Sequence, residues 1–333
     1  MAYASLFEYT SSIVSLVAEA SELVGQMPVF EGLDPNLVLR RENQIRTIHS
    51  SLLIENNTLL LDQVTAVLNG THVLAPPKDV CEVRNAYEAY EAVAGFSPYS
   101  LDDLLRAHRL LMKGLVKHPG CLRNQGVGTF AGDEAVHAAL PERMVPKLMG
   151  DLFDWLRALD DHPLVRGSVF HYEFEFIYPF VDGNGRTGRL WHSLLLRNWR
   201  PIFVWLPVET LIHQNQQAYY NAIVAFTNAG SSTVFVEFML RVIHDALADA
   251  LERQRSSSRD EQIRDRYERQ VSERAMRVLR LLVDDPALTY ASLAAKLGVS
   301  SATARREVSS LVERGIICRV GARKNGRWEV LGD

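Results

Sequence analysis

Cysteine is scarce in this chain of 333 residues, and the three cysteines lie far apart in the sequence, at Cys81, Cys121 and Cys318. Their spacing matches neither a disulfide framework nor a zinc site. Disulfide bonds persist in oxidising compartments, so their absence favours a reducing environment. We therefore expect a cytoplasmic protein.

Long apolar runs and a targeting pattern are also lacking. No stretch approaches the roughly 20 apolar residues that span a bilayer. The first residues, MAYASLFEYTSS, lack the basic region and cleavage site of a secretory signal. Internal repeats and low-complexity tracts are missing too. These features predict a protein with no membrane partner.

Neither sign of charge is in large excess. The net charge is −4, from 36 basic and 40 acidic residues, so the whole chain has no bias toward nucleic acid. Hydrophobic residues make up 47% and charged residues 23%, as in ordinary soluble globular proteins. The length allows two domains, or one large domain with an appendage.

The most informative stretch is residues 171–192, which read HYEFEFIYPFVDGNGRTGRLWH. The pattern predicts a helix that ends at Ile177, a tight turn, and a second helix that begins near Arg186. Gly183 and Gly185 let the backbone turn with its N–H groups facing outward. Such groups at the start of a helix form an anion-binding site.

Charged residues around this turn fit a polyphosphate. Arg186 and Arg189 are three residues apart, so their side chains leave the same face of the predicted helix. They suit two phosphates of one molecule. Asp182 supplies a hard oxygen ligand for a Mg²⁺ ion that bridges those phosphates. We favour a nucleotide site over the alternative, a plain turn followed by solvated arginines.

The segment from Tyr178 to Arg189 resembles the Fic-family motif HPFx(D/E)GNGRxxR, and it matches at every defined position from Pro179 onward. Fic enzymes mostly transfer AMP from ATP to a protein hydroxyl, and their motif histidine takes the proton from that hydroxyl. Tyr178 stands in the place of that histidine. The resemblance implies an all-α Fic-fold core, with ATP and Mg²⁺ as the small molecules it uses.

The resemblance also assigns site residues. The implied catalytic residues are Tyr178, Asp182, Asn184, Arg186 and Arg189, with Asp182 as the metal ligand. The implied nucleotide-binding residues are Gly183, Asn184, Gly185, Arg186, Gly188, Arg189, Tyr220 and Asn221. Gln214 and Tyr219 are further candidates for the adenine pocket.

A second motif lies in a helix predicted over about residues 36–56. Ser51 and Glu55 are four residues apart and therefore share one helical face. Taken alone, the stretch reads as an ordinary helix end, with Asn56 and Asn57 as the stop. Beside the first motif, it resembles the inhibitory (S/T)xxxE(G/N) helix of Fic proteins. That resemblance implies that Glu55 pairs with Arg189 and denies it to the γ-phosphate, so that Ser51, Glu55 and Asn56 form an inhibitory element.

Residues 120–141 differ from the helical segments around them. Glycines at 120, 126, 128 and 132 predict a short β-hairpin. The resemblance implies that this hairpin is a flap, and that a target protein docks on residues 126–137 by strand addition. A plain surface loop is the alternative.

The last part of the chain has a separate pattern. Residues 253–270, RQRSSSRDEQIRDRYERQ, predict a charged linker or an exposed helix. Three predicted helices and two strands follow over 272–333, an arrangement that resembles a winged helix-turn-helix domain. This segment has eleven basic and seven acidic residues, a net charge of +4.

We expect this segment to bind DNA. Thr303, Arg305 and Arg306 lie early in the predicted recognition helix, where they would reach base edges, and Arg323 and Lys324 lie at the wing tip, near phosphates. The alternative is a winged helix used for protein contacts or for a homodimer. The predicted domains are therefore an N-terminal helical region (1–100), a Fic core (101–252), a charged linker or helix (253–271) and the winged helix (272–333).

Tyr178 decides between functions. The reference pKa of tyrosine is near 10, so the neutral phenol is a poor base, and loss of a general base typically costs about 10²–10⁴ in rate. One interpretation is an autoinhibited AMP transferase that is slow, or is rescued by surroundings that lower the phenol pKa. A second is a catalytically degenerate, nucleotide-binding transcriptional regulator. A third is an AMP-removing hydrolase in which Glu55 activates water and Tyr178 is a general acid.

Overall fold

The computed structural model describes residues 7–27, 37–126, 128–131, 134–138, 140–158, 160–204, 206, 208–224, 231–267, 271–321 and 326–331. The chain divides into two compact units, Met1–Asp249 and Ala250–Asp333. None of its described helices is long and apolar enough to cross a membrane. The finer division into four segments stays a prediction.

The first unit is built mainly of helices. They are α1 (Ser11–Gln26), α2 (Leu37–Ile54), α3 (Leu61–Leu68), α4 (Pro77–Ala92), α5 (Leu101–Leu111), α6 (Val145–Ala158), α7 (Pro163–Ile177), α8 (Asn184–Trp199), α9 (Val208–Gln214) and α10 (Gln216–Val224). Short 3₁₀ helices span Val93–Gly95, Glu142–Met144 and Pro201–Val204. Helix α11 (Thr233–Tyr267) continues past Asp249, where the first unit ends, so residues 253–267 of the charged run are helical.

A small antiparallel hairpin interrupts the helices between α5 and α6. Strands β1 (Gly128–Ala131) and β2 (Glu134–Ala138) pair with Gly128 opposite Ala138, and the register shifts between Thr129 and Phe130. The predicted fold class, a helical core with a small hairpin, is confirmed.

Helix α7 lies at the centre of the first unit and is buried along nearly its whole length. Aromatic rings of α6, α7 and α8 pack edge to face, with Phe153 5.5 Å from Phe170 and 6.2 Å from Trp191. Such pairs add stability beyond the area they bury. The motif turn that follows α7 is therefore held on a rigid, fully packed support.

Several predicted helix bounds were wrong. The sequence pattern over residues 141–165 predicts one helix, but α6 ends at Ala158 and α7 begins at Pro163. Proline fits the first turn because its missing N–H needs no partner. The apolar periodicity of residues 101–115 predicts a helix that Ser100 caps. That helix ends at Leu111, since Met112 leaves the helical region and Gly114 has φ 73°. Helix α8 begins at Asn184, two residues before the predicted start.

The second unit contains α12 (Glu273–Asp284), α13 (Tyr290–Leu297) and α14 (Ser301–Glu313), followed by strands β3 (Ile317–Val320) and β4 (Arg327–Val330). Ser272, Thr289 and Ser300 cap the three helices through their hydroxyl oxygens. Ile317 pairs with Val330 across the antiparallel strands. Apolar residues from all three helices and both strands form one core. This is the predicted three-helix and wing arrangement.

Candidate active site

The motif turn connects α7 to α8 in a conformation that its own residues fix. Tyr178 is left-handed, with φ 51°, and its N–H donates to the carbonyl of Phe174 at 3.0 Å. The buried side chain of Asn184 donates to the carbonyl of Phe180 and accepts from its N–H, both at 2.9 Å. Gly183 has φ 85°, a value that favours glycine. Asn184 therefore shapes the turn.

Arg189, the second motif arginine, is fully buried and paired with the predicted inhibitory helix. Its Nη2 donates to Glu55 Oε1 at 2.8 Å and to the carbonyl of Ser51 at 2.9 Å, while its Nε donates to Ser51 Oγ at 3.1 Å. The charge of Glu55 raises the pKa of Arg189 against the opposing effect of burial. The structure thus brings together the three predicted residues Ser51, Glu55 and Arg189.

The Glu55 carboxylate also lies against the start of α8. A Cβ atom placed on Gly185 would be 2.5 Å from Glu55 Oε1 and 2.9 Å from Arg189 Nη1, so glycine alone leaves room for this pair. Asn56, the third predicted inhibitory residue, ends the helix in a left-handed conformation with φ 63°. The Glu55 carboxylate therefore occupies the position at the N-terminus of α8 that suits an anion.

Arg186 has a carboxylate partner that the sequence did not indicate. Its Nη1 donates to Glu82 Oε1 at 3.1 Å and its Nη2 to Asp182 Oδ1 at 3.4 Å. The other oxygen of Glu82 accepts from the side chain of Asn57 at 2.8 Å, just beyond α2. One buried carboxylate thus holds both a motif arginine and the segment directly after α2. Glu82 lies about a hundred residues before the motif, and no local pattern marks it.

Tyr178 is in surroundings that disfavour its ionisation. Burial, with the nearby charge of Glu175, raises the pKa of Tyr178 to about 12, although a hydrogen bond with Asn184 opposes the shift. The interpretation in which the surroundings lower the phenol pKa is wrong, because the shift has the opposite sign. The phenol is neutral at pH 7.

Asp182 lies at the surface end of the turn. Its side chain is 52% exposed, and its Oδ1 accepts from the N–H of Gly183 at 2.6 Å. His108 Nε2 donates to the Asp182 carbonyl at 2.9 Å, and His108 Nδ1 accepts from the N–H of Gly120 at 2.8 Å. Burial lowers the pKa of His108 to about 4, so this histidine is neutral. Sequence reasoning gave His108 no role, and the structure shows that it supports the motif loop.

Arg123 was also missed, since it lies in a glycine-rich stretch with no motif. Its guanidinium donates to the carbonyls of Tyr178 at 2.7 Å, Gln125 at 3.2 Å and Leu140 at 2.5 Å. Gln125 and Leu140 lie on either side of the hairpin. Arg123 therefore ties the base of the flap to the backbone of the motif.

The residues predicted for the adenine pocket are placed differently from one another. The Tyr220 hydroxyl and the Gln216 side chain donate to the carbonyl of Ile54, at 3.2 and 3.1 Å, and so bind the end of α2. Asn221 is exposed and accepts from Gln217 at 3.0 Å, and Gln214 is exposed as well. Tyr219 is buried and hydrogen-bonds to His171 at 3.1 Å.

Gly188 faces α7. A Cβ there would be 2.7 Å from Glu175 Oε1 and 3.1 Å from the ring of Phe174, so this glycine lets α8 approach α7 closely. Burial raises the pKa of Glu175 to about 8, although the charge of Arg189 opposes the shift. Glu175, which lies near Arg189, is therefore largely protonated at pH 7.

Glu175→Gln should stabilise the protein increasingly as pH rises from about 5 to 8. In the folded protein the pKa of Glu175 is about 8, above its ordinary value of 4.5. The bound proton therefore stabilises the native protein fully below pH 4.5, and this stabilisation is lost as the pH rises through 8. The gain in the free energy of unfolding should approach about 1.4 kcal/mol per pH unit across that window. Urea unfolding at pH 5, 7 and 9 measures it, with the exposed Glu88→Gln as control. A pH-independent difference would contradict the shift.

Both units of the chain are similar to known protein families. The Fic/DOC family model matches residues 98–196, and a winged helix-turn-helix DNA-binding model matches residues 272–317. A crystal structure of a Fic family protein from Desulfovibrio desulfuricans G20 is 42% identical, with 99% of each chain covered and a TM-score of 0.71. The chain belongs to the Fic family. The resemblance drawn from the motif is confirmed.

Other Fic proteins are more distant. Protein adenylyltransferase fic-1 of Caenorhabditis elegans is 30% identical over 232 residues, which are 64% of this chain and 42% of that protein. Protein adenylyltransferase Fic of Nematostella vectensis is 27% identical over 213 residues, 60% of this chain and 47% of that protein. The chain thus spans less than half the length of these curated relatives. A structure of C. elegans Fic-1 residues 134–508, 22% identical with a TM-score of 0.59, shares the fold.

The winged-helix unit of this Fic protein presents part of its predicted DNA surface. Arg305 and Arg306 are exposed on α14, with the Arg305 guanidinium 5.2 Å from the ring centre of Tyr290. Thr303 is half-buried, and its hydroxyl lies 2.9 Å from that of Ser300 at the helix cap. Arg323 and Lys324 lie outside the described residues.

Proposed function

We propose that this chain is an autoinhibited protein adenylyltransferase, which transfers AMP from ATP to a protein hydroxyl and is slowed by Tyr178. The observation that carries the proposal is the 2.8 Å ion pair between Glu55 and Arg189. It occupies the guanidinium that the motif assigns to the γ-phosphate. The relatives named protein adenylyltransferase support the activity.

ATP binds, in this proposal, at the N-terminus of α8. The N–H groups of the turn, with Arg186 and Arg189, face the phosphates. Both guanidinium groups are buried, so charge-assisted hydrogen bonds to phosphate are stronger there than at the surface. Arg189 becomes available when Glu55 withdraws, which makes Glu55 the inhibitory residue.

Asp182 fits a Mg²⁺ ion. Its half-exposed carboxylate lies directly before the anion-binding turn, and Mg²⁺ prefers one or two carboxylates together with phosphate oxygens and water. A bound Mg²⁺ supplies positive charge that neutralises the phosphates. His108 holds the main chain of Asp182 in place for this role.

The transfer joins the target oxygen to the α-phosphorus and breaks the bond to pyrophosphate, so the hydroxyl must lose its proton. With a pKa of about 12, Tyr178 is ionised in only about one molecule in 10⁵ at pH 7 and is a poor acceptor. The proton therefore passes to water or to phosphate oxygen. Phosphate binding does not depend on Tyr178 and is retained.

The target segment docks on the flap, residues 126–137, by strand addition to the β1–β2 hairpin. Arg123 sets the position of the flap base relative to the Tyr178 carbonyl. The target hydroxyl is thereby brought beside the motif.

The test is transfer of label from α-³²P-ATP with Mg²⁺ to protein, using the Glu55→Gly chain. Label that depends on Arg186, and disappears in an Arg186→Gln control, supports the proposal. If neither the Tyr178 chain nor its Tyr178→His variant labels itself or any protein of a cell extract, the transferase proposal fails.

A second candidate, a DNA-binding regulator, is favoured by the winged-helix unit. Two arginines are exposed on α14, and residues 272–333 have a net charge of +4 in an otherwise acidic chain. Basic residues on a recognition helix bind phosphates and base edges in the major groove. In this proposal the protein binds the nucleotide as a signal and does not transfer its AMP.

Replacing Arg305 and Arg306 together with alanine should weaken binding to duplex DNA by about tenfold or more at 50 mM salt, because phosphate contacts dominate affinity there. A gel-shift titration measures this, with a duplex taken from the region upstream of the gene. The exposed Arg277→Ala on α12 removes one charge outside the recognition helix and should have little effect. Equal losses in both variants would assign the binding to overall charge.

A further inference from the structure

The last carbonyl of α2 has its hydrogen-bond partners outside its own helix. If the helix continued, the Ile54 carbonyl would accept from the N–H of Thr58, four residues further on. That N–H donates instead to the Asp79 side chain on α4, at 3.0 Å. Ile54 is 1% exposed, so its surroundings shield it from water. A buried carbonyl without a partner is costly, and another element must therefore supply the donors.

Helix α10 supplies these donors. The Gln216 amide donates to the Ile54 carbonyl at 3.1 Å, and the Tyr220 hydroxyl donates to it at 3.2 Å. The two residues are four apart, so their side chains leave the same face of α10. They also bond to each other, with Gln216 donating to the Tyr220 hydroxyl at 3.4 Å. We call this pair, Gln216 and Tyr220, the α10 clamp.

The clamp holds the peptide group that leads into the inhibitory glutamate. The carbonyl of Ile54 and the N–H of Glu55 belong to one planar unit. The clamp bonds to the oxygen of this unit, and at its other end the Glu55 N–H donates to the Leu52 carbonyl at 3.0 Å. Both ends of the peptide group are therefore held. This fixes the backbone from which the Glu55 carboxylate reaches Arg189 at 2.8 Å.

A further contact joins the same face of α2 to the helix before the clamp. Ser50 is buried, and its Oγ lies 3.0 Å from Thr210 Oγ1 of α9. Ser50 and Ile54 are four residues apart and share one face of α2. Helices α9 and α10 thus hold the last turn of the inhibitory helix, through contacts that do not involve the motif arginines.

We propose that Gln216 and Tyr220 are positioning residues that strengthen the inhibition through Glu55, a role that rests on the inhibitory function proposed above. With the clamp in place, the Glu55 carboxylate is presented to Arg189. Without it, the peptide group before Glu55 turns more freely, and the pair with Arg189 forms in a smaller fraction of molecules. Because ATP binds when Arg189 is released, loss of the clamp tightens ATP binding.

The test is a double-mutant cycle on ATP binding, measured by isothermal titration calorimetry with Mg²⁺. Gln216→Met removes the amide, and Tyr220→Phe removes only the hydroxyl and keeps the ring. Each should tighten ATP binding by roughly two- to tenfold, the range that one hydrogen bond contributes. In the Glu55→Gly chain neither should tighten it further. Gln217→Met, whose amide bonds to Asn221 and not to α2, is the matched control and should have no effect.

The cycle separates failure of the clamp from failure of the inhibitory role of Glu55. If Glu55→Gly tightens ATP binding and neither clamp variant does, the clamp is overturned and the role of Glu55 stands. An equal gain in the native and Glu55→Gly chains would overturn the route through Glu55. If Glu55→Gly itself has no effect, the inhibitory role fails, and the effect of the clamp on ATP fails with it.

Hydrogen exchange tests the clamp without ATP. The Glu55 N–H should exchange severalfold faster in Gln216→Met and Tyr220→Phe than in the native chain, because its peptide group is no longer held at the oxygen. Gln217→Met should match the native rate. The amides of the buried helix α7 should exchange equally in all of these chains, which separates local loosening from general destabilisation. Unchanged exchange at Glu55 in both clamp variants would overturn the proposal whatever the result with ATP.

Discussion

Tyr178→His should raise the initial rate of AMP transfer by about 10²–10⁴-fold when both chains also carry Glu55→Gly, the range typical of a general base. Histidine titrates near pH 6.5 and accepts a proton at neutral pH, whereas burial raises the pKa of Tyr178 to about 12. We expect the turn to keep its shape, because Asn184 is also held by the backbone of Phe180. The measurement is label from α-³²P-ATP incorporated into protein, read as an initial rate.

Two controls make this result interpretable. Tyr178→Phe, which removes the hydroxyl, should be close to the native rate if the phenol does not accept the proton. ATP affinity should stay within about twofold across the three chains, because the phosphates are bound by α8 and the arginines. If AMP transfer is fast with Tyr178 and Tyr178→His does not raise its rate, another group accepts the proton.

Glu55→Gly should tighten ATP binding by roughly ten- to a hundredfold, since hydrogen bonds to charged groups contribute about 1.5–3 kcal/mol. The substitution frees the Arg189 guanidinium, which Glu55 now holds at 2.8 Å. Isothermal titration calorimetry with ATP and Mg²⁺ measures the change. The same chain should melt at a lower temperature without ATP, because a buried guanidinium loses its partner.

Glu55→Gln is the matched control for this experiment. It keeps the length and the hydrogen-bonding oxygen but removes the charge, so its ATP affinity should fall between those of the native and glycine chains. Glu88→Gln, at an exposed position of α4 whose carboxylate faces Lys113 and not α2, should leave the affinity unchanged. If ATP binds the native and Glu55→Gly chains equally, Glu55 does not inhibit.

The sequence predicted the motif turn well because its chemistry is local. The segment from Gly183 to Arg189, with its glycines, its asparagine and its two arginines, defines the turn and the start of α8 almost independently of the rest of the chain. The pairing of Glu55 with Arg189 also agrees with the geometry, although 134 residues separate them. It depended on the family resemblance, since spacing within α2 shows only which residues share a face.

The residues that sequence reasoning missed have partners that only the fold brings near. Glu82, Arg123 and His108 each hold the motif from another segment, and an isolated charged or imidazole side chain has no pattern of its own. The direction of the Tyr178 pKa shift was not predictable either. Burial sets it, and burial depends on how α7 packs. Gly188 looked like part of the phosphate site until the close approach of α7 explained it.

The carboxylate of Glu82 makes the end of α2 a pivot. It holds Asn57, and the side chain of Asp79 also accepts from the N–H of Thr58 at 3.0 Å, so the chain beyond α2 is anchored to α4. At 1.5 Å per residue, Leu37 is about 30 Å from this pivot and Glu55 only about 3 Å. A 10° swing of α2 moves its far end by about 5 Å but Glu55 by about half an ångström. We therefore expect rotation of the Glu55 side chain, more than a swing of α2, to free the part of the Arg189 guanidinium that Glu55 holds.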